Sequence, residues 1–145
     1  MRSESTLAAM AGAALAVGVP VTLRQLDLIE RLPDVSWRGF DANKVTTSPE
    51  AYPIAGIPDG IFACMLYVAE LGLALARRRR APARPTKWLD RLLGVCVGGG
   101  AIGAAFYAYQ MAAIEKKACV YCLSNIALNF AMVPFAWRLL RQRSR

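Results

Sequence analysis

The chain has no histidine. Imidazole acid–base catalysis and histidine-based metal sites are therefore excluded. Cysteine is scarce as well: there are four, Cys64, Cys96, Cys119 and Cys122, and only the last two are close together. A zinc site would need two more well-placed ligands. Cys64 and Cys96 stand alone in apolar runs, where a thiol usually behaves as a small inert hydrophobe, so no metal is expected. The long polar stretch between Arg24 and Pro53 contains no cysteine. Acidic residues number 10 against 18 basic ones, a net charge of +8. No nucleic-acid-reading module or soluble basic face accompanies that charge, so no nucleic-acid partner is expected.

What the chain does have is apolar length. Hydrophobic residues make up 56% of its 145 positions, above the usual soluble share of about 45–50%, and mean hydropathy is +0.33. The excess is gathered into four segments, at about 7–23, 54–76, 89–114 and 118–140. Three of them approach or exceed the ~20 residues that cross a ~30 Å hydrocarbon core. This composition predicts an all-α integral membrane protein, a four-helix transmembrane bundle forming one domain over 1–145. The first segment also has the small residues of a cleavable signal peptide, although it runs smoothly into Val21, Thr22 and Leu23 with no polar cleavage region.

The basic residues lie beside the apolar runs. Six of them and no acid occupy Arg77 to Lys87, and four more follow Trp137. Cytoplasmic loops carry such an excess, which predicts a multi-pass protein of the inner or plasma membrane with both termini cytoplasmic. Arg24–Pro53 and the link Glu115-Lys116-Lys117 then face outward. The larger loop interleaves Leu26, Leu28, Ile29, Leu32, Val35, Trp37 and Phe40 with charges. It reads as an amphipathic cap over the mouth of the bundle, resting on the membrane surface.

Chemistry concentrates at Cys119-Val-Tyr-Cys122, two thiols at the start of the fourth segment. A helix N-terminus offers unpaired N–H groups and partial positive charge, which favour a thiolate, the form that attacks disulfides. On a helix Cys119, Cys122, Ile126, Asn129 and Val133 share a stripe, with Asn125 beside it. Asn125 is expected either to wall a pocket or to bond between helices, and Asn129, deeper, to bond between helices. Asp59 falls at a depth similar to the cysteines and could either face a ligand or sit wetted at the interface. Glu70 is expected to reach an arginine of the 77–80 run. The spacings Gly94-x-x-x-Gly98 and Gly99-x-x-x-Gly103 predict close helix packing.

Three stretches, Ala105-Phe-Tyr-Ala-Tyr-Gln110, Ala118-Cys-Val-Tyr-Cys-Leu123 and Gly56-Ile-Pro-Asp-Gly-Ile-Phe-Ala-Cys-Met-Leu-Tyr67, resemble the vitamin K epoxide reductase family and its bacterial disulfide-forming homologues in order and spacing. Asn43–Pro49 is similar to the family's loop segment. The resemblance implies a four-helix core in which Cys122 contacts a quinone (ubiquinone, menaquinone or similar). Cys119 would exchange with a thioredoxin-like protein outside the cytoplasm. The family's quinone-contacting asparagine falls on Asp59, and its tyrosine after the Cys-x-x-Cys falls on Ile126. Asp59, Asn125 and Ile126 are thus the expected quinone contacts, and Cys119 and Cys122 the redox pair. Family members usually relay electrons through two loop cysteines. Here Ala42 stands where one is expected, so a partner thiol would have to reach Cys119 directly. The alternative is a non-enzymatic membrane scaffold whose Cys119–Cys122 disulfide is structural.

Overall fold

The computed structural model describes residues 3–80 and 86–142. Four long helices run alternately up and down: α1 (Ser3–Gln25), α3 (Asp59–Arg80), α4 (Lys87–Tyr109) and α5 (Val120–Arg141). Between α1 and α3 a segment crosses the mouth of the bundle, holding the short α2 (Ala42–Thr46) and a 3-10 turn at Pro49–Ala51. Among the described residues there is no strand, only the isolated bridges Phe40–Ala118 and Ile54–Ile57. All four long helices, α4 counted with its continuation to Glu115, are long and apolar enough to cross a membrane.

The helix limits shift from the sequence expectation for local reasons. The second span begins at Asp59, not near 54, because Ile54–Ile57 close a reverse turn with the Ile57 N–H on the Ile54 carbonyl at 2.8 Å. Pro58 then leads directly into the helix, as proline does near an N-terminus. It runs past 76 to Arg80, because arginine is a good helix former and its charge suits a C-terminal turn. Cys119 lies outside α5 as its N-cap. At its far end α4 widens into a π-helical turn over Gln110–Glu115, and Lys116 ends it in the left-handed region (φ 52°). Residues 81–85 of the basic link and 143–145 of the basic tail lie outside the described residues.

Two apolar clusters hold the bundle. One, toward the arginine-rich end, joins Leu7, Ala8 and Ala11 of α1, Ala74 of α3, Leu93 and Val97 of α4, and Met132, Ala136 and Leu139 of α5. The other lies under the crossing segment and joins Val21, Leu32, Ala42, Val45, Met111 and Cys119. Outward-facing side chains are apolar too: Val95 is 71% and Ile102 75% exposed, and Met65, Phe106 and Trp137 also project outward. A large apolar surface on the outside of a bundle is what hydrocarbon requires and water penalises.

The glycines do not form the packing face their spacing suggested. A Cβ at Gly98, Gly99 or Gly103 would meet nothing within 4 Å, whereas at Gly94 it would meet Leu140 and at Gly100 the side chains of Asn129, Leu66 and Glu70. The closest helix approach is elsewhere. A Cβ on Gly60 of α3 would come within 2.5 Å of the Thr22 and Gln25 side-chain oxygens and 3.2 Å of the Thr22 Cα on α1.

The expected pairing of Glu70 with an arginine is also corrected. Arg77 Nε donates to Asp90 Oδ1 at 2.6 Å, joining α3 to α4 with both side chains nearly inaccessible. Glu70 lies about two turns away along α3, and neither of its buried carboxyl oxygens has a hydrogen-bond partner. Removing one member of a buried ion pair strands the other charge, at about 3–5 kcal/mol. Asp90→Ala should therefore lower resistance to detergent denaturation by that order, while the joint Arg77→Met, Asp90→Leu variant should recover most of it. Equal stabilities of the single variant and the parent would show that the pair does not hold α3 to α4.

Candidate functional site

The segment over the mouth is a cap, as expected, and most of it is irregular. Pro33 and the absence of a regular apolar repeat leave residues 31–37 irregular. Leu32 turns inward to the second cluster, while Leu26, Leu28 and Trp37 stay exposed. Side chains tie the cap down. The Asn43 amide both accepts from the Leu32 N–H (2.8 Å) and donates to the Leu32 carbonyl (3.1 Å). Asp34 accepts the N–H groups of Val35 (2.8 Å) and Ala42 (2.5 Å), and Asp41 caps α2 by accepting from Lys44 N–H at 2.9 Å. The Tyr121 hydroxyl of α5 reaches over to the Pro33 carbonyl at 2.7 Å.

The cap meets the dithiol through backbone. The Ala118 N–H donates to the Gly39 carbonyl (2.8 Å), and the Asp41 N–H donates to the Ala118 carbonyl (2.9 Å). Gly39 has φ +89°, a conformation that glycine adopts without a Cβ penalty, so the chain can turn into this exchange. Cys119, the next residue, is completely buried beside Ala42, which is also fully covered. A partner thiol therefore cannot reach Cys119 in this conformation. The direct encounter expected from the cysteine-free loop needs the cap to lift first.

Cys119 is held as a helix cap. Its sulfur accepts the Cys122 backbone N–H at 3.2 Å. The Cys122 thiol hydrogen-bonds to the same sulfur and lowers the Cys119 pKa below that of an ordinary thiol, helped by the N–H groups of Cys122 and Tyr121, while burial and the charge of Asp34 oppose the shift. Both cysteines are free thiols in this structure. Sequence position thus translates into division of labour: Cys119 faces the cap, and Cys122 faces the bundle interior.

On that interior side lies a cavity of about 240 Å³. Cys122, Asn125, Ile126 and Asn129 of α5 line it, facing Asp59, Phe62 and Tyr67 of α3 and Gly99, Gly100, Gly103 and Tyr107 of α4. The open glycine face of α4 is therefore cavity wall, where missing side chains leave room. Phe62 and Gly99 are exposed on the outer surface, so the cavity opens between α3 and α4 toward the lipid-facing side. All four expected cavity residues, Asp59, Cys122, Asn125 and Ile126, come together here, and Cys119 stands behind them.

Asp59 is not an isolated interfacial carboxylate. Gln25 Nε2 donates to its Oδ1 at 2.6 Å, while Gln25 Oε1 accepts the Gly60 N–H at 3.1 Å. The Tyr107 hydroxyl also bonds to the Asp59 carboxyl. Asn125 Oδ1 is buried without a partner. Asn129 bonds between helices, as expected, donating to the Tyr67 hydroxyl at 2.9 Å, and within α5 it donates to the Asn125 carbonyl at 2.8 Å, yet it lines the cavity as well. Sequence reasoning missed Gln25, Tyr67 and Tyr107. The two tyrosines fall within the stretches that carry the family resemblance, whereas Gln25 gave no signal before α1 and α3 were seen to pack at Gly60.

Loosening the cap should expose Cys119. A neutral hydrogen bond contributes about 0.5–1.5 kcal/mol, so Tyr121→Phe should speed alkylation of Cys119 by roughly two- to tenfold. Because its pKa is lowered, the thiolate persists below the pH range of an ordinary thiol. The rate in Tyr121→Phe should stay high as pH falls toward neutrality, and adding Cys122→Ala should move the profile upward. Mass spectrometry of the labelled protein follows both. An unchanged rate in Tyr121→Phe would mean that the bond to Pro33 does not hold the cap shut.

No curated protein matches the chain. The model of the vitamin K epoxide reductase family matches residues 5–137, taking in α3, α4, the cap, the dithiol and most of α1 and α5. Four apolar helices and a dithiol at the bundle mouth agree with that match, and the chain belongs to the vitamin K epoxide reductase family, among membrane thiol oxidoreductases.

Proposed function

We propose that the chain is a quinone-dependent thiol–disulfide oxidoreductase, moving electrons between a quinone in the bundle cavity and a thioredoxin-like protein outside the cytoplasm. The observation that carries this reading is the two-sided dithiol. Cys122 lines a ligand-sized cavity that opens toward lipid, and Cys119 lies under the cap on the opposite side. The cavity suits such a group: its walls are mostly apolar, with Asp59, Tyr107, Asn125 and a thiol as the few polar contacts near the mouth. Asp59, Asn125 and Ile126 are the residues of α3 and α5 that would hold the ring next to Cys122. Ubiquinone, menaquinone or a similar lipid quinone fits the entrance from the membrane.

When bound, a quinone accepts two electrons and two protons, the number released when two thiols close to a disulfide. Cys119, the better thiolate, is the attacking sulfur. Cys122 is the sulfur through which the electron pair passes to the cavity, and Asp59, held by Gln25 and Tyr107, fixes the ring on that side. Buried walls keep water from the thiols between encounters. Exchange with the partner begins only after the cap opens to Cys119. Orientation follows from charge. Arg77–Arg80, Lys87, Arg138 and Arg141 gather at one end of the bundle and the cap closes the other, which supports a cytoplasmic arginine-rich end and cytoplasmic termini in the plasma or inner membrane.

Purified protein supplied with a short-chain quinone and a reduced dithiol peptide should consume quinone absorbance, and Cys122→Ala should abolish it. In that variant the Cys119 thiolate should attack the oxidised, disulfide form of the same peptide, releasing one peptide thiol and trapping the other as a mixed disulfide. Absence of turnover with every quinone tried, together with an intact cellular phenotype in the Cys119→Ser, Cys122→Ser variant, would support a scaffold with a structural disulfide instead.

A further inference from the structure

The polar groups of the cavity fall into two sets. Asp59, Tyr107 and Cys122 lie near the cap, while Tyr67 and Asn129 lie about two helical turns deeper, on facing walls of α3 and α5. Between them, Ile126 offers no hydrogen bond. A ring with two carbonyls held by one end beside Cys122 needs a partner for the other. We propose that Tyr67 and Asn129 together anchor the ring oxygen remote from Cys122. This deepens the quinone reading and rests on it.

The orientation of the pair is fixed by chemistry. Asn129 Nδ2 donates to the Asn125 backbone carbonyl at 2.8 Å, a group that can only accept. The amide is therefore not reversed, and the same Nδ2 donates to the Tyr67 oxygen at 2.9 Å. With its oxygen accepting, the Tyr67 hydroxyl keeps its own proton to donate, and no acceptor for it is found among the described residues. Asn129 Oδ1 is buried and unpaired, on a side chain only 3% exposed. One donor and one acceptor thus stand side by side at the deep end, both on residues that line the cavity.

That combination serves both oxidation states. The Tyr67 O–H donates to a carbonyl, and Asn129 Oδ1 accepts from the hydroxyl that the carbonyl becomes on reduction. The tyrosine is also placed to reach up toward the dithiol. A long side chain on a helix leans toward the N-terminal end, which for α3 is the cap end. A Cβ on Gly18 would touch the Tyr67 ring at 3.7 Å and the Asn125 amide at 3.6 Å, so Tyr67 packs level with the residue one turn below Cys122. Gly100 completes the arrangement, since a Cβ there would collide with Asn129 Oδ1.

The test is infrared difference spectroscopy of 1,4-naphthoquinone bound to the full-length protein, together with its equilibrium binding. In the parent, one carbonyl band should lie at lower frequency and move on exchange into D2O. In Tyr67→Phe that shifted band should disappear, and binding should weaken roughly three- to tenfold while the variant remains folded. If Tyr67→Phe binds as the parent does with the same spectrum, the anchor is wrong and the quinone reading stands. If the parent binds no naphthoquinone, both fall. Should Tyr67→Phe fail to fold, the D2O exchange on the parent decides alone, because two unshifted carbonyl bands overturn the anchor.

Discussion

The structure depends on the backbone exchange between Gly39–Asp41 and Ala118. Those two hydrogen bonds fasten the cap to the residue just before the dithiol, and they set what each sulfur can see. Cys119 is turned under the cap and becomes the N-cap of α5. Cys122, one helical turn on, is turned into the bundle. A Cys-x-x-Cys at any helix start would place two sulfurs together, but only this seam puts a wall of protein on one side and a cavity on the other.

The membrane supplies the second constraint. Inside a bundle that crosses hydrocarbon, a polar side chain is costly unless it finds a partner or faces a ligand. Arg77 meets Asp90 across α3 and α4, Gln25 joins Asp59 to the start of α3, and Asn129 holds Tyr67. The amide oxygens that remain unpaired, those of Asn125 and Asn129, belong to cavity-lining residues. Not every unpaired group lies there: the Glu70 carboxyl oxygens are buried without partners away from the cavity lining. The cysteine-free cap gives this protein its own problem of access. Ala42 and Cys119 are both fully buried in one cluster under the cap, so the proposed exchange with a partner requires the cap to open.

Much of this was legible in the residues. Four apolar runs and the arrangement of arginines give the bundle, and Cys119-Val-Tyr-Cys122 gives the dithiol at its mouth, because hydropathy and thiol spacing are local properties. Asp59, Asn125 and Ile126 were found through a shared helix depth and the family resemblance, and all three line the cavity. What escaped was decided by pairing across helices. Glu70 was assigned to an arginine because four of them follow it on the same helix, but Asp90 on α4 lies closer to Arg77. The α4 glycines were read as a packing face because spacing cannot distinguish a neighbour from an empty cavity. Likewise, a loop without cysteines implies that a partner thiol meets Cys119 directly but says nothing of its burial, which depends on how that loop folds back over Ala118.

The central claim is that Cys119 and Cys122 form one redox unit with the cavity, without help from another thiol. Its most direct measurement is an anaerobic single turnover of the fully reduced protein with a stoichiometric short-chain quinone and no protein partner. One quinol should form per chain, with Cys119 and Cys122 becoming a disulfide by mass spectrometry while Cys64 and Cys96 remain thiols. Persistence of both thiols at 119 and 122 in the presence of bound quinone would contradict it.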